Sequence, residues 1–188
     1  MNDVFDYHIH IQNFSRLLIW LMLVCLLGLF VTGWAMMVMG RFFLTEKNKE
    51  SGRVRKFSII DFELPYSFTR FKNITDTLSK RTKDTVRMNL KLDYLFMPFL
   101  YLFLFFGGWY MMHRHQLFAL DNDNYKILFM PFAAWLMDIV ENKLAFACLE
   151  RLTKTNSRLL FFASLIKWLL IFGYLVLLFV IDWRTFHH

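Results

Sequence analysis

Cysteine is nearly absent: Cys25 and Cys148 are the only two, and both fall inside long apolar runs. With no CxxC pair and no set of spacings suited to a cystine framework, the chain is neither a disulfide-stapled module nor a dithiol redox protein. Both thiols read as small buried apolar groups. The sequence also lacks HExxH, GxSxG, a Walker A loop and Rossmann glycines, which removes the motif-borne hydrolase, protease and nucleotide-binding classes. Its histidine spacing does not resemble the longer histidine boxes of membrane di-iron enzymes. Internal repeats and low-complexity segments are missing as well. The reading that survives is a protein without catalysis and without a cofactor.

What the chain does have is apolar length. Of 188 residues, 57% are hydrophobic and 19% aromatic, with 23 phenylalanines. A soluble domain of this size cannot hide so much apolar surface, whereas a bilayer accepts it. About 20 apolar residues cross a hydrocarbon core of roughly 30 Å. Four stretches meet that length: 17–40 and 94–112, both free of charge, 127–149, and 159–181 with Lys167 as its one charge. The expected fold is all-α: a polytopic membrane protein forming one membrane domain, 1–188, as an antiparallel four-transmembrane-helix bundle. The leader before the first run carries Asp3 and Asp6 rather than a basic cluster, and the run is too long for a signal peptide, so it reads as a retained helix.

Charge sets the expected orientation. Residues 41–92 hold 13 Lys/Arg against 6 Asp/Glu, and Arg151, Lys154 and Arg158 follow the third run. The other side has only Arg16, Arg114, Lys126 and Arg184. Both termini are therefore expected outside a bacterial inner membrane, with connectors 41–92 and 150–158 cytoplasmic. The first connector alone carries the net +7 of the whole protein. It favours anionic lipid headgroups, at roughly 1 kcal/mol per basic residue near the surface, over nucleic acid. Within it, Phe68, Phe71, Ile74 and Leu78 recur at helical spacing, with Arg70, Lys72, Lys80 and Arg81 as candidate lipid-surface groups. Residues 67–81 read either as a cytoplasmic amphipathic helix lying on the membrane between spans 1 and 2, or equally as a cap over the bundle's end.

The third run carries the chemistry. Asp138, Glu141, Asn142 and Ala145 share one face at spacings of three and four. A charge at the bilayer centre costs at least ~2.5 kcal/mol, so this face should look into the bundle. Counting ~1.5 Å per residue, Glu141, Lys167 and Tyr101 fall at one depth, with Asp138 slightly deeper and Asp93 at the cytoplasmic mouth. Lys143 points elsewhere and snorkels. The expected buried network is Asp138, Glu141, Asn142, Tyr101 and Lys167, entered at Asp93. It reads as packing glue or as a site for an ion, a proton or a lipid headgroup. Two carboxylates against one lysine leave surplus negative charge, to be met by a proton or a cation. On the outer side the histidines come in pairs: His8 and His10, His113 and His115, His187 and His188. Imidazole suits Zn or Cu, and His8, His10, His113 and His115 are the candidate ligands, although titratable histidines without a metal explain the pattern more simply.

Three segments, SIIDFEL (58–64), LDYLFMPFLY (92–101) and AAWLMDIVENKL (133–144), together resemble a group of small bacterial four-helix membrane proteins to which no activity is attached. The resemblance spans residues 58–144, implies a shared architecture, and marks Glu63, Asp93, Tyr101, Asp138, Glu141 and Asn142. In size, span number and composition the chain is also similar to membrane accessory proteins of type VI CRISPR loci. That similarity implies a regulatory role in antiviral defence, with the basic connector acting on a cytoplasmic protein partner. Self-association into a homo-oligomer is compatible with either. Topology is directly testable: reporter fusions after residues 50 and 188 should report a cytoplasmic first connector and an exported C-terminus, and the reverse result would also relocate the histidines.

Overall fold

A computed structural model of the chain describes residues 2–44, 57, 62, 64, 67–114 and 123–186, with residues 2–13, 123–124 and 184–186 described by backbone alone. The regular elements are all helical: α1 (Asn2–Gly40), α2 (Phe68–Asp76), α3 (Lys80–Arg114), a 3₁₀ segment (Asp123–Phe129), α4 (Met130–Glu150) and α5 (Lys154–Phe186). Three stretches are long and apolar enough to cross a membrane: Phe14–Gly40, Lys80–Arg114 and Lys154–Trp183. Helix α4 has the length, since its 21 residues extend about 31 Å. What sets it apart is the charge of Asp138, Glu141 and Lys143 in its middle.

Several boundaries differ from the sequence reading. The residues before position 16, expected as a tail, continue α1 as helix back to Asn2. The third apolar run does not open as α-helix at Ile127. Residues 127–129 belong to the 3₁₀ segment, and α4 starts with a proline in its first turn, where the missing N–H has no helical partner to lose. Helix α3 runs 35 residues without interruption, through Pro98.

Side-chain bonds fix an up-and-down order. Antiparallel packing of α1 on α3 follows from Asn89 Nδ2 donating to the Met36 carbonyl at 3.0 Å and Thr82 Oγ1 to the Leu44 carbonyl at 3.0 Å. At the far end Ser15 Oγ lies 3.5 Å from His113 Nδ1. Helix α4 packs on α5 and, less extensively, on α3. The packing thus runs as a row, α1 on α3, α3 on α4, α4 on α5. Much of α1 is left uncovered: Trp20, Leu27, Phe30 and Trp34 are all more than half exposed. An apolar surface that large is stable in hydrocarbon or against another protein, and not in water.

The connector is not a passive loop. Phe43, Phe57, Phe62, Phe71, Ile74 and Leu78 form one buried cluster with Val86 and Leu90 of α3, Ala145, Cys148 and Leu149 of α4, and Leu160 of α5. The Phe43 and Phe57 rings stack at 5.4 Å, and Phe62 meets Phe71 edge-on at 5.0 Å. The apolar stripe of residues 67–81 is therefore spent on the protein, as the cap reading requires, and it is not left for lipid. Nor is the segment one helix. Thr77 Oγ1 donates to the Asn73 and Ile74 carbonyls and ends α2, while Ser79 Oγ accepts from Thr82 N and starts α3. Two hydroxyls that compete for backbone groups close one helix and open the next.

Near the opposite end Tyr174 of α5 donates its hydroxyl to the Leu104 carbonyl of α3 at 2.8 Å. This approach needs Gly108, because a Cβ there would collide with the tyrosine oxygen. Gly108→Ala should lower stability in detergent by about 1–3 kcal/mol, the usual cost of overpacking. Gly40→Ala, where a Cβ meets nothing within 4 Å, should change the melting point little. Equal effects would show that helix propensity, and not the tyrosine approach, governs the first substitution.

Candidate functional site

Helix α4 directs its polar residues at its neighbours because its other faces are apolar and unpartnered. Leu136 and Val140 are exposed on one side, while Asp138, Glu141 and Asn142 are each at most 4% exposed on the other. Periodicity does this: residues 138, 141, 142 and 145 fall within one face of a helix with 3.6 residues per turn. Helix α5 presents Ser164 and Lys167 to that face from positions one turn apart, and α3 presents Asp93 and Tyr101.

The centre is an ammonium between two carboxylates. Lys167 Nζ donates to Asp138 Oδ1 at 3.0 Å and pairs with Glu141 Oε2 at 2.6 Å. Its side chain is 8% exposed, against 6% for Asp138 and 1% for Glu141. Tyr101 Oη donates to the other oxygen of Asp138 at 2.9 Å, and Ser164 Oγ donates to Glu141 Oε1 at 3.1 Å. Asp138 thus has a hydrogen-bond donor on each oxygen. Glu141 does not: its Oε2 is buried and ion-paired, but the lysine lies off the direction needed for a hydrogen bond. Beside this group Asn142 Nδ2 donates to Asp93 Oδ2 at 2.7 Å. Asp93 is only half-buried, so it is the member nearest the outside, on the connector side. Toward the opposite end the neighbours of Tyr101 are aromatic: Trp135 stacks on Tyr101 at 6.1 Å and on Phe132 at 6.4 Å, and Phe132 meets Phe105 at 5.1 Å.

Six of the residues singled out from the sequence are thereby brought together, Tyr101, Asp138, Glu141 and Lys167 as one bonded group and Asn142 with Asp93 as a pair beside it. Equal depth set Lys167 beside Glu141, and the contacts add the deeper Asp138. The lysine is shared by both carboxylates, and Asn142 turns to Asp93. Glu63 lies outside the described residues. Lys72, Lys80 and Arg81 are exposed and Arg70 is half-buried, all at the connector end and remote from the network. Of the candidate metal ligands, His113 is placed against Ser15 and the Phe14 ring, 5.1 Å away. The side chains of His8 and His10, and all of His115, lie outside the described residues. Among the described residues no three His, Cys, Asp or Glu side chains are grouped to hold a metal ion.

Two contributors escape a reading by charge. Ser164, fully buried, is one turn before Lys167 on the same face, and that spacing was its only signal. Asn89 is buried and ties α3 to the Met36 carbonyl, leaving its Oδ1 without a hydrogen-bond partner; no spacing rule reveals such a side chain–backbone bond. No family model, curated protein or solved structure matches the chain, so its chemistry has to be argued from these contacts.

Removing one member of a buried ion pair strands the other, at about 3–5 kcal/mol. Lys167→Met alone should therefore destabilise strongly, and adding Asp138→Asn and Glu141→Gln should restore part of the loss. Melting in detergent across the mutant cycle reads the coupling. Additive losses would mean that the three groups do not interact.

Proposed function

We infer that the protein is an integral membrane protein with four spanning helices, α1, α3, α4 and α5, and that the buried acidic network is a proton-binding site reached from the connector side. The single observation that carries this is the charge imbalance: Asp138 and Glu141 pair with one buried ammonium, Lys167, and a third carboxylate, Asp93, lies beside them on Asn142. In a medium of low dielectric, three carboxylates and one cation are not all ionised; a proton or a cation makes up the difference. A proton fits better than a metal, because the ammonium already occupies the place between the carboxylates that a metal ion would need. Glu141, whose Oε2 has no hydrogen-bond partner, and Asp93, which stands outside the lysine's two ion pairs, are the two groups between which this reading places the proton.

Burial of α4's charges against α3 and α5 is also what makes a fourth span affordable. The exposed faces of α4 are apolar, with Lys143 about 10 Å from the helix end and able to extend its ammonium toward the headgroups. The aromatic neighbours of Tyr101 on the side away from the connector, Trp135, Phe132 and Phe105, favour binding over conduction. On the positive-inside argument the connector side is the cytoplasm of a bacterial cell.

Infrared spectroscopy of the full chain in membranes reads protonation directly. A carboxylic C=O band that titrates with pH is expected in the wild type, together with its loss in Glu141→Gln or Asp93→Asn at preserved fold. A network that serves only as glue would show no titrating buried carboxyl, or one that survives both substitutions.

A further inference from the structure

We propose that the shallow groove between the end of α1 and the start of α3 binds one anionic phospholipid, with its phosphate at Lys80 and Arg81 and its first acyl methylenes over Met39 and Met88. The groove has a volume of about 610 Å³ and is lined by Met39, Lys80, Arg81, Asp84, Thr85 and Met88. Its lining from α3, Lys80 to Met88, repeats at three and four residues along one face and extends about 12 Å.

The order of chemistry along the groove is that of a phospholipid. Helix register sets it: Asn89 is level with Met36, and Thr82 with Leu44. Met88 and Met39 therefore lie toward the spanning section, and Lys80 and Arg81 lie toward the connector. The charge-free run of α1 ends at Gly40, and Arg41 is exposed, so on the α1 side the change from apolar to basic surface falls at the groove. The one acidic group in the lining does not cancel the cations, because Asp84 is paired with Arg87 at 3.2 Å. Thr85 turns its hydroxyl back to the Arg81 carbonyl at 2.9 Å, which leaves the two cations as the ligands for an anion. Methionine suits the apolar half, since its flexible thioether follows an irregular chain. A soluble anion would use the cations but not the methionines, and a protein partner would not need the apolar-to-basic gradient to coincide with the end of α1's charge-free run. This inference rests on the four-span reading and is independent of the proton.

The test is thermal melting of the full chain in a non-ionic detergent while lipid is titrated in, because a ligand of the native state raises the melting point in proportion to its affinity. Phosphatidylglycerol should stabilise at roughly tenfold lower concentration than phosphatidylcholine, as expected for two basic groups near one phosphate. In Lys80→Gln/Arg81→Gln that preference should vanish while melting without lipid stays as in the wild type. The swap Lys80→Arg/Arg81→Lys should keep it. Lys154→Gln/Arg158→Gln, which removes the same charge elsewhere at this end, should also keep it. Met39→Ser/Met88→Ser should weaken phosphatidylglycerol but leave any response to inorganic phosphate unchanged. The proposal fails if the two glutamine pairs act alike, which means general electrostatics, or if inorganic phosphate stabilises as well as the lipid does. Extraction of the protein from membranes by alkaline carbonate would instead refute the spanning reading beneath it.

Discussion

An ammonium held between two carboxylates in apolar surroundings leaves little freedom to the helices that carry it. Lys167 is anchored on α5, and Asp138 and Glu141 on α4; a slide of one turn between these helices would break both pairs and bury three bare charges. In a medium of low dielectric that cost exceeds anything apolar packing offers against it. Tyr101 extends the constraint to α3 through Asp138, and Asn142 repeats it through Asp93. The register of three helices thus follows from one small polar group, and so does the burial of Asp138 and Glu141 on α4.

Helix α1 is held in another way. Its ties to α3 are the Asn89 and Thr82 bonds to backbone carbonyls near one end and the Ser15–His113 contact near the other. Between them the fit is one of shape: Gly28 leaves room for the Phe99 ring, which a Cβ would strike. No ion pair fixes its register among the described residues. A helix attached by shape is covered on one side only, and Trp20, Phe30 and Trp34 lie on the part of its surface left exposed.

The two ends of the molecule differ in the same physical terms. At the connector end, phenylalanines from the connector and α2 complete a core over α3, α4 and α5, so Phe57, Phe62 and α2 are built into the fold. The acidic network lies just beneath that core and has its half-buried member, Asp93, facing it. At the other end the neighbours of Tyr101 are aromatic, Trp135 first and then Phe132 and Phe105.

Much of this was legible from the sequence because its physics is local. Charge-free runs predict long helices by length alone, and α3 and α5 exceed the predicted spans only because helix continues beyond the apolar boundary. The stripe of Asp138, Glu141 and Asn142 was readable from helical spacing, and the depths of Tyr101 and Lys167 from a constant rise per residue, since neither depends on the neighbours. Tertiary structure alone decided what the neighbours are. Whether Phe71, Ile74 and Leu78 face lipid or protein depends on a surface assembled from α3, α4 and α5, distant in sequence. Whether Lys167 serves one carboxylate or two depends on rotation of α5 by a fraction of a turn, which spacing does not encode. The break at Thr77–Ser79 and the approach of Tyr174 to Gly108 arise from hydroxyls choosing among backbone carbonyls, a choice settled by distance in space and not by order in the chain.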